Sequence, residues 1–205
     1  MKELLSHIGT NAGESSLMLK SMSDKLFHIS EIIELQQRFM GELGTENMTQ
    51  LKNVIEASVT IFDESFNKRG FKINTKLDEK VPEVLVDSSM LTQVFINFIK
   101  NSIEAMRTEN DKTKKYALNI SLNAEERDDK NYAVIKISDN GPGIPDNIKE
   151  KMFDFGFSTK KEKNSSSRGI GLHFCMDSVK KYGGFVDVDT EIGKGSCFTI
   201  CIPIN

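Results

Sequence analysis

Apolar residues follow two different rhythms along this chain, and the change between them divides it. Leu19, Met22, Leu26, Ile29, Ile33, Gln36, Met40 and Leu43 recur at alternating steps of three and four, with no proline between Glu14 and Leu43. Such spacing keeps one stripe on one side of a long helix, a heptad-like seam that needs partner helices to cover it. Few helices follow nearby in the sequence, so pairing with a second copy of the chain is the expectation, and packing on the chain's own globular part is the alternative. Gly41 and Gly44 punctuate the end of this segment.

Leu51 to Phe66 then repeats the helical rhythm through Val54, Ile55, Ile61, Phe62 and Phe66, and Gly70 closes it. The period changes at Phe71, Ile73, Thr75 and Leu77, which alternate as in a half-buried strand; Leu85–Val86 is a short apolar run before Asp87. A helix from Ser88 to Arg107 follows, capped by Asp87 or Ser88, with Leu91, Val94, Phe95, Phe98, Ile99 and Ile103 as its buried stripe. Further strands are expected at Ala117–Leu122, Tyr132–Ser138, Phe185–Asp189 and Ser196–Ile202, with a helix from Gly171 to Tyr182 between them. The pattern predicts an α+β fold, a two-layer sandwich with helices on one face of a mixed, mostly antiparallel sheet, preceded by the long N-terminal helix. Residues 1–46 are expected to form a helical dimerisation segment and 47–205 a second domain. The polar stretch from Pro142 to Gly169, which contains KKEKNSSS at 160–167, is expected to be a mobile lid.

Composition narrows the function. A net charge of −3, with 38% apolar and 28% charged residues, is that of an ordinary globular protein and lacks the basic excess that phosphate-backbone binding demands, so nucleic acid is not an expected partner. No stretch approaches the roughly eighteen apolar residues of a membrane helix, and MKELLSHIGT lacks the apolar core of a secretory signal. A cytoplasmic location without membrane contact is the expectation. Cys175, Cys197 and Cys201 form no C-x-x-C pair and read as buried reduced thiols.

The candidate chemistry lies in polar groups set against this background. DNGPGIP, residues 139–145, places a carboxylate at a strand end before a backbone free to turn sharply and pass close to a ligand. Alone it is a good turn and nothing more. FINFIKNSIEAM, residues 95–106, puts Asn97 and Asn101 at i and i+4 on an otherwise apolar helix, with Glu104 a turn beyond. Paired amide oxygens suit a hard cation such as Mg2+ that shares its shell with phosphate, although either asparagine alone could be a satisfied core amide. In SRGIGLHF, residues 167–174, a glycine turn feeds a helix N-terminus, an arrangement that suits phosphate. A P-loop is absent, and so is the HRD element of serine, threonine and tyrosine kinases.

In order and spacing these segments resemble the ATP-binding catalytic domain of sensor histidine kinases, within the superfamily that includes type II topoisomerase B subunits, Hsp90 chaperones and MutL proteins. NFIKNSIEA is similar to the N box, DNGPGIP to the first glycine box, FDFGFSTKK to the F box, RGIGLHF to the second glycine box, and GKGSCFTI at 193–200 to the closing glycine motif. The match runs from about Leu51 to Pro203. The resemblance implies a Bergerat-type domain binding ATP and Mg2+ and moving the γ-phosphoryl group to a histidine on a dimerisation helix, for relay to the receiver domain of a response regulator. Asp139 would take the adenine amino group, with Gly141, Gly143 and Ile144 shaping the pocket; Asn97 and Asn101 would hold the metal; Glu104 would join the nucleotide site. Ser158, Thr159, Lys160 and Lys161 would reach the nucleotide from the lid, with Lys160 acting in catalysis, and Gly169, Ile170, Gly171 and Leu172 would wrap the triphosphate. Arg168 is either a further phosphate contact or a solvated lid residue.

Two departures from the family pattern matter. The second glycine box ordinarily opens on a glycine where this chain has Ser167, a residue that resists positive φ; weaker nucleotide binding would be one outcome. ATP-hydrolysing members carry a glutamate general base four residues before the metal asparagine, where this chain has Asn97; an amide cannot take a proton at neutral pH, which favours transfer to a protein nucleophile over hydrolysis. Of the histidines, His7 lacks the following acid or amide of an acceptor motif, His28 is expected to pack in the seam, and His173 is expected to line the lid side of the pocket. The expectation is that the acceptor helix lies upstream of this chain. A serine kinase of the anti-sigma-factor type and a non-catalytic, nucleotide-responsive dimerisation module are the alternatives.

Overall fold

The computed structural model describes residues 45–67, 71–109, 113–159 and 169–204, with the backbone alone at 63–67. The predicted seam helix, His7, His28, Lys160, Lys161, Ser167 and Arg168 lie outside the described residues. In chain order the elements are β1 (Asn47–Thr49), α1 (Leu51–Asn67), β2 (Lys72–Leu77), β3 (Val84–Val86), α2 (Ser88–Glu109), β4 (Ala117–Arg127), β5 (Lys130–Asp139), α3 (Asp146–Lys149), α4 (Gly171–Lys181), β6 (Phe185–Glu191) and β7 (Gly195–Pro203). Strands β2-β4-β5-β7-β6 form one mixed sheet, and β1 pairs with β3 in a separate two-stranded ladder. Only the β2–β4 pair is parallel within the larger sheet. Among the described residues no helix is long and apolar enough to cross a membrane.

Register explains why the helices gather on one face. Paired residues share a face, so Leu122, Ile135, Ile200 and Val186 form one row across β4-β5-β7-β6, and Ile120, Ile137, Phe198 and Val188 form the next. Most of these side chains are buried. Residues one step away, such as Asn119, Ser121, Lys136 and Asp187, point to the opposite face. Helices α2 and α4 cover the apolar rows, and α1 packs between α2 and β2. Phe98, fully buried on α2, meets Phe198 with ring centroids 5.0 Å apart; burying one such side chain is worth roughly 1.5–3 kcal/mol.

Local chemistry decides where α2 begins. Asp87 is its cap: the backbone N–H groups of Ser89 and Met90 donate to Asp87 Oδ1 at 2.9 and 3.1 Å. The N–H of Asp87 in turn donates to Tyr182 Oη at 3.0 Å, which ties the start of α2 to the end of α4. The β4–β5 hairpin runs further than its apolar residues suggest, because Asp128 and Asp129 adopt φ of 50° and 58° and form a tight turn beyond the core.

Several sequence-based expectations need correcting. Ile61 belongs to the helical pattern of α1 but is 60% exposed. The short run before Asp87 is centred differently: Val84 and Val86 are buried, whereas Leu85 is 53% exposed and pairs with Met48, also exposed, on β1. The stretch expected to be a lid from Pro142 is packed at its start, since Met152 is buried and Ile144, Ile148 and Phe153 rest on the core. Cys175 and Cys201 are buried and Cys197 is half-buried, all reduced.

Because the buried Asp87 carboxylate caps the N–H groups of Ser89 and Met90, Asp87→Ala is expected to destabilise the fold by about 1–2 kcal/mol. A shift of the urea midpoint without a change in slope is the measurement.

Candidate functional site

At one end of the sheet the apolar rows give way to a polar one. Leu118, Asp139, Ser196 and Thr190 are register partners across β4-β5-β7-β6, on the same face as the core rows. The last pleat of β5 therefore aims a carboxylate under the helices instead of into solvent. Asp139 is 6% exposed. Burial pushes its pKa up from the ordinary 3.8, opposed by the N–H of Gly141, the Ser102 hydroxyl, the N–H of Ser196 and the charge of Lys114. The Gly141 N–H donates to Asp139 Oδ1 at 2.9 Å.

The loop after Asp139 is held by groups that copy strand pairing. Asn140 Oδ1 accepts the N–H of Ala117 at 2.9 Å and Asn140 Nδ2 donates to the Lys115 carbonyl at 2.9 Å, so a side-chain amide extends the β4–β5 ladder by a step. Thr190 Oγ1 accepts the N–H of Ile144 at 2.8 Å and donates to the Gly195 carbonyl at 3.1 Å. Gly143 has φ +76°, and a Cβ there would run into the backbone of Glu191 and Ile192, so glycine is required for the loop to seat on the β6–β7 hairpin. Lys114 Nζ sits 2.9 Å from Glu109 Oε1 and 3.4 Å from the Gly141 carbonyl, at the rim of the same loop.

Helix α2 supplies the facing wall. A Cβ on Gly141 would lie 3.2 Å from Met106 Cγ, and Ser102, one turn earlier, is the α2 residue that acts on the Asp139 carboxylate. Near its other end, Asn97 Oδ1 lies 3.2 Å from where a Cβ on Gly171 would stand. Helix α2 thus touches both the Asp139 loop and the glycine turn that starts α4; at ~1.5 Å rise per residue, Asn97 and Ser102 are ~7.5 Å apart along its axis. Asn97, Asn101 and Glu104 are half-buried on this helix.

The second glycine segment is fastened to the F-box segment. Gly169, with φ +76°, is pressed against the backbone of Gly156 and Phe157, and the Gly156 N–H donates to the Gly169 carbonyl at 3.2 Å. One turn into α4, His173 Nδ1 lies 2.9 Å from the Phe153 carbonyl, and Nε2 lies 3.2 Å from Asp177 Oδ2. Its ring also meets Phe155 edge-on at 5.4 Å. His173 is therefore a fastener between α4 and the segment containing Phe153 and Phe155. Ser158 and Thr159 are exposed at the end of that segment, and Gly169, Ile170, Gly171 and Leu172 are half-buried.

Of the residues singled out in sequence, Asp139, Gly141, Gly143 and Ile144 form one loop, and α2 links it to Asn97 and Gly171. Sequence reasoning missed Ser102, Lys114, Asn140 and Thr190. Ser102 had a visible signal, a polar residue on the apolar stripe of α2, whereas Thr190 had none, because alternation alone does not tell which face of β6 meets the loop. Among the described residues no cluster of His, Cys, Asp and Glu is arranged to hold a metal ion. A divalent ion here would have to rest on amide and phosphate oxygens, and the Asn97 amide oxygen facing the glycine turn fits that demand.

Comparison with known proteins agrees with this geometry. The family described as histidine kinase-, DNA gyrase B-, and HSP90-like ATPase matches residues 86–205. The chain is 27% identical over 177 residues to the sensor histidine kinase TmoS of Ectopseudomonas mendocina, covering 86% of this chain and 17% of TmoS. It is 28% identical over 200 residues to the sensor histidine kinase ZraS of Escherichia coli (strain K12), covering 96% of this chain and 39% of ZraS. The chain thus spans well under half the length of these relatives. Among solved structures, full-length ShkA in complex with AMPPNP is similar with a TM-score of 0.67 and 18% identity, over 88% of this chain and 36% of that one. Histidine kinase ThkA in complex with the response regulator protein TrrA is similar with a TM-score of 0.65 and 22% identity, over 89% of this chain and 49% of that one. With the family matched over more than half of its length and a buried carboxylate set among the glycine loops, the chain belongs to the histidine kinase-, DNA gyrase B- and HSP90-like ATPases.

Proposed function

We propose that this chain is the ATP-binding catalytic part of a two-component sensor histidine kinase, moving the γ-phosphoryl group to a histidine on a dimerisation helix for relay to a response regulator's receiver domain. One observation carries the reading: a buried carboxylate, Asp139, ends β5 on the helix-facing side of the sheet, beside a loop whose glycines leave backbone room for a ligand. TmoS and ZraS, both named sensor histidine kinases, support it, as do the AMPPNP complex of ShkA and the ThkA–TrrA complex. Residues 1–46 would form the pairing helix of a homodimer and 47–205 the catalytic domain.

In this reading the ionised Asp139 accepts a hydrogen bond from the adenine amino group, with Gly141, Gly143 and Ile144 bounding the base. The turn at Gly169, Ile170, Gly171 and Leu172 brings the N-terminal N–H groups of α4 to the phosphates. Asn97 and Asn101 offer amide oxygens to Mg2+, with Glu104 a turn beyond, and Ser158, Thr159, Lys160, Lys161 and Arg168 approach from the lid. Bound Mg2+ would neutralise charge on the phosphates. Asn97 has no basic site at neutral pH, so the chain positions the phosphoryl group for a protein nucleophile without activating water.

Calorimetry with Mg2+ and ATP tests the pocket. Asp139→Asn, which loses a charge-assisted hydrogen bond, is expected to weaken binding roughly 10- to 100-fold. The same substitution should stabilise the empty protein at neutral pH. Burial raises the folded pKa of Asp139, so wild-type stability is fully present below the ordinary 3.8 and is lost as pH rises through the raised value, a loss that asparagine does not share. Melting temperatures of the two proteins should therefore converge in acid and separate toward neutrality. Asn101→Ala should abolish the Mg2+ dependence of ATP binding while leaving metal-free binding nearly unchanged. Incubation with a histidine-bearing dimerisation hairpin should give an acid-labile phosphorylated product; acid-stable label would indicate a serine kinase, and binding without transfer a nucleotide-responsive module.

A further inference from the structure

Helices α2 and α4 lie side by side and run in opposite directions, because their contacts pair in reverse order. Gly171, at the start of α4, faces Asn97, whose Oδ1 would lie 3.2 Å from a Cβ placed there. One turn on, the Cys175 thiol donates to the Val94 carbonyl at 3.7 Å, a weak bond. At the far end Tyr182, the residue that closes α4, accepts the Asp87 N–H on its Oη at 3.0 Å and donates to Met90 Sδ at 3.6 Å. The rise from Gly171 to Tyr182 is ~16 Å and that from Asp87 to Asn97 is ~15 Å, so the two end contacts span the same length of helix. Apolar packing is non-directional, which leaves the axial register of α4 on α2 to the directional bonds at its ends. The Asp87 N–H precedes the first turn of α2 and has no partner within the helix, so Tyr182 supplies the one it needs. The tyrosine ring is itself steadied, since Lys181 Nζ lies 5.1 Å from its centroid and 2.8 Å from Glu46 Oε1.

We infer that Tyr182 is a positioning residue for the phosphate end of the nucleotide site, setting, through the register of α4 on α2, the gap between the Gly171 turn and the Asn97 amide oxygen. The inference rests on the nucleotide reading of the site. In that reading the N–H groups at the start of α4 meet phosphate, and Asn97 offers its oxygen to the metal that the phosphates share. A slide of α4 along its own axis changes that gap directly. Tyr182 stands ~15 Å from Asn97 along α2, too far to touch a ligand held there, so it acts only through the helix. The Asp139 loop has other fastenings: Asn140 bonds to Ala117 and Lys115, and Thr190 to Ile144. The base end and the phosphate end of the site therefore answer to different bonds, and the Tyr182 hydroxyl governs the second.

The test compares ATP with Mg2+, followed by calorimetry, and adenosine, which lacks the phosphates, followed by NMR titration, on the full chain and its Tyr182→Phe variant. Removing the hydroxyl should weaken ATP binding about tenfold and leave adenosine binding within about twofold of wild type. A merely structural role would lower the melting temperature without changing the ratio of the two affinities. An unchanged ratio, from equal losses or from no loss at all, would therefore overturn the assignment while leaving the ATP site standing. Hydrogen exchange at the Asp87 amide of the empty proteins gives an independent check: it should quicken in the variant, and an unchanged rate would overturn the assignment by showing that the hydroxyl does not hold that N–H. Wild type that binds neither ligand would overturn the assignment together with the reading beneath it.

Discussion

A carboxylate held out of water at the end of an apolar sheet is the constraint around which the site is arranged. An isolated buried charge is costly, and the protein offsets that cost with oriented donors instead of a salt bridge. Gly141 supplies an N–H, Ser196 another, and Lys114 stands at the rim without direct contact. These donors do not cancel the effect of burial, since the pKa of Asp139 stays raised. A carboxylate has about four acceptor sites, more than the N–H groups of Gly141 and Ser196 fill, a property that an amino group can use. Tying it down with a buried arginine would have made it structural.

Rigidity between the subsites comes from α2. The helix meets the Asp139 loop through Ser102 and Met106 and the glycine turn of α4 through Asn97, so regular backbone geometry sets the separation of those contacts. The glycine turn is in turn fixed to the F-box segment by the Gly156–Gly169 hydrogen bond and by His173. Both sides of the segment 160–168 are thereby anchored to one another and to α4. Function at a site of this kind is commonly carried by loops on a rigid scaffold, and here the scaffold is the helix and the sheet end together.

The family to which the chain belongs includes proteins as different as histidine kinases, DNA gyrase B and HSP90. A shared pocket fixes where a nucleotide sits far better than what becomes of its phosphate. Such a distinction falls on individual side chains; Asn97, whose amide oxygen faces the glycine turn, does not take up a proton at neutral pH.

Much of this was legible in the order of residues. Period-2 and period-3.6 patterns marked β2, β4 to β7, α1, α2 and α4, because burial on one face imposes the period on the sequence itself. The glycines of the Asp139 loop and the paired asparagines of α2 were legible because those residue types are unusual at strand ends and on apolar helices. The β1 strand and the outer half of the β4–β5 hairpin were hidden by their polarity, since strands that extend past the core carry no hydrophobic signature. The exposure of Leu85 and Ile61, the strand-like role of the Asn140 side chain, and the placement of Ser102 toward the Asp139 carboxylate were decided only by the tertiary structure. Each depends on which residue stands opposite in space, a relation between distant segments that a linear pattern does not encode.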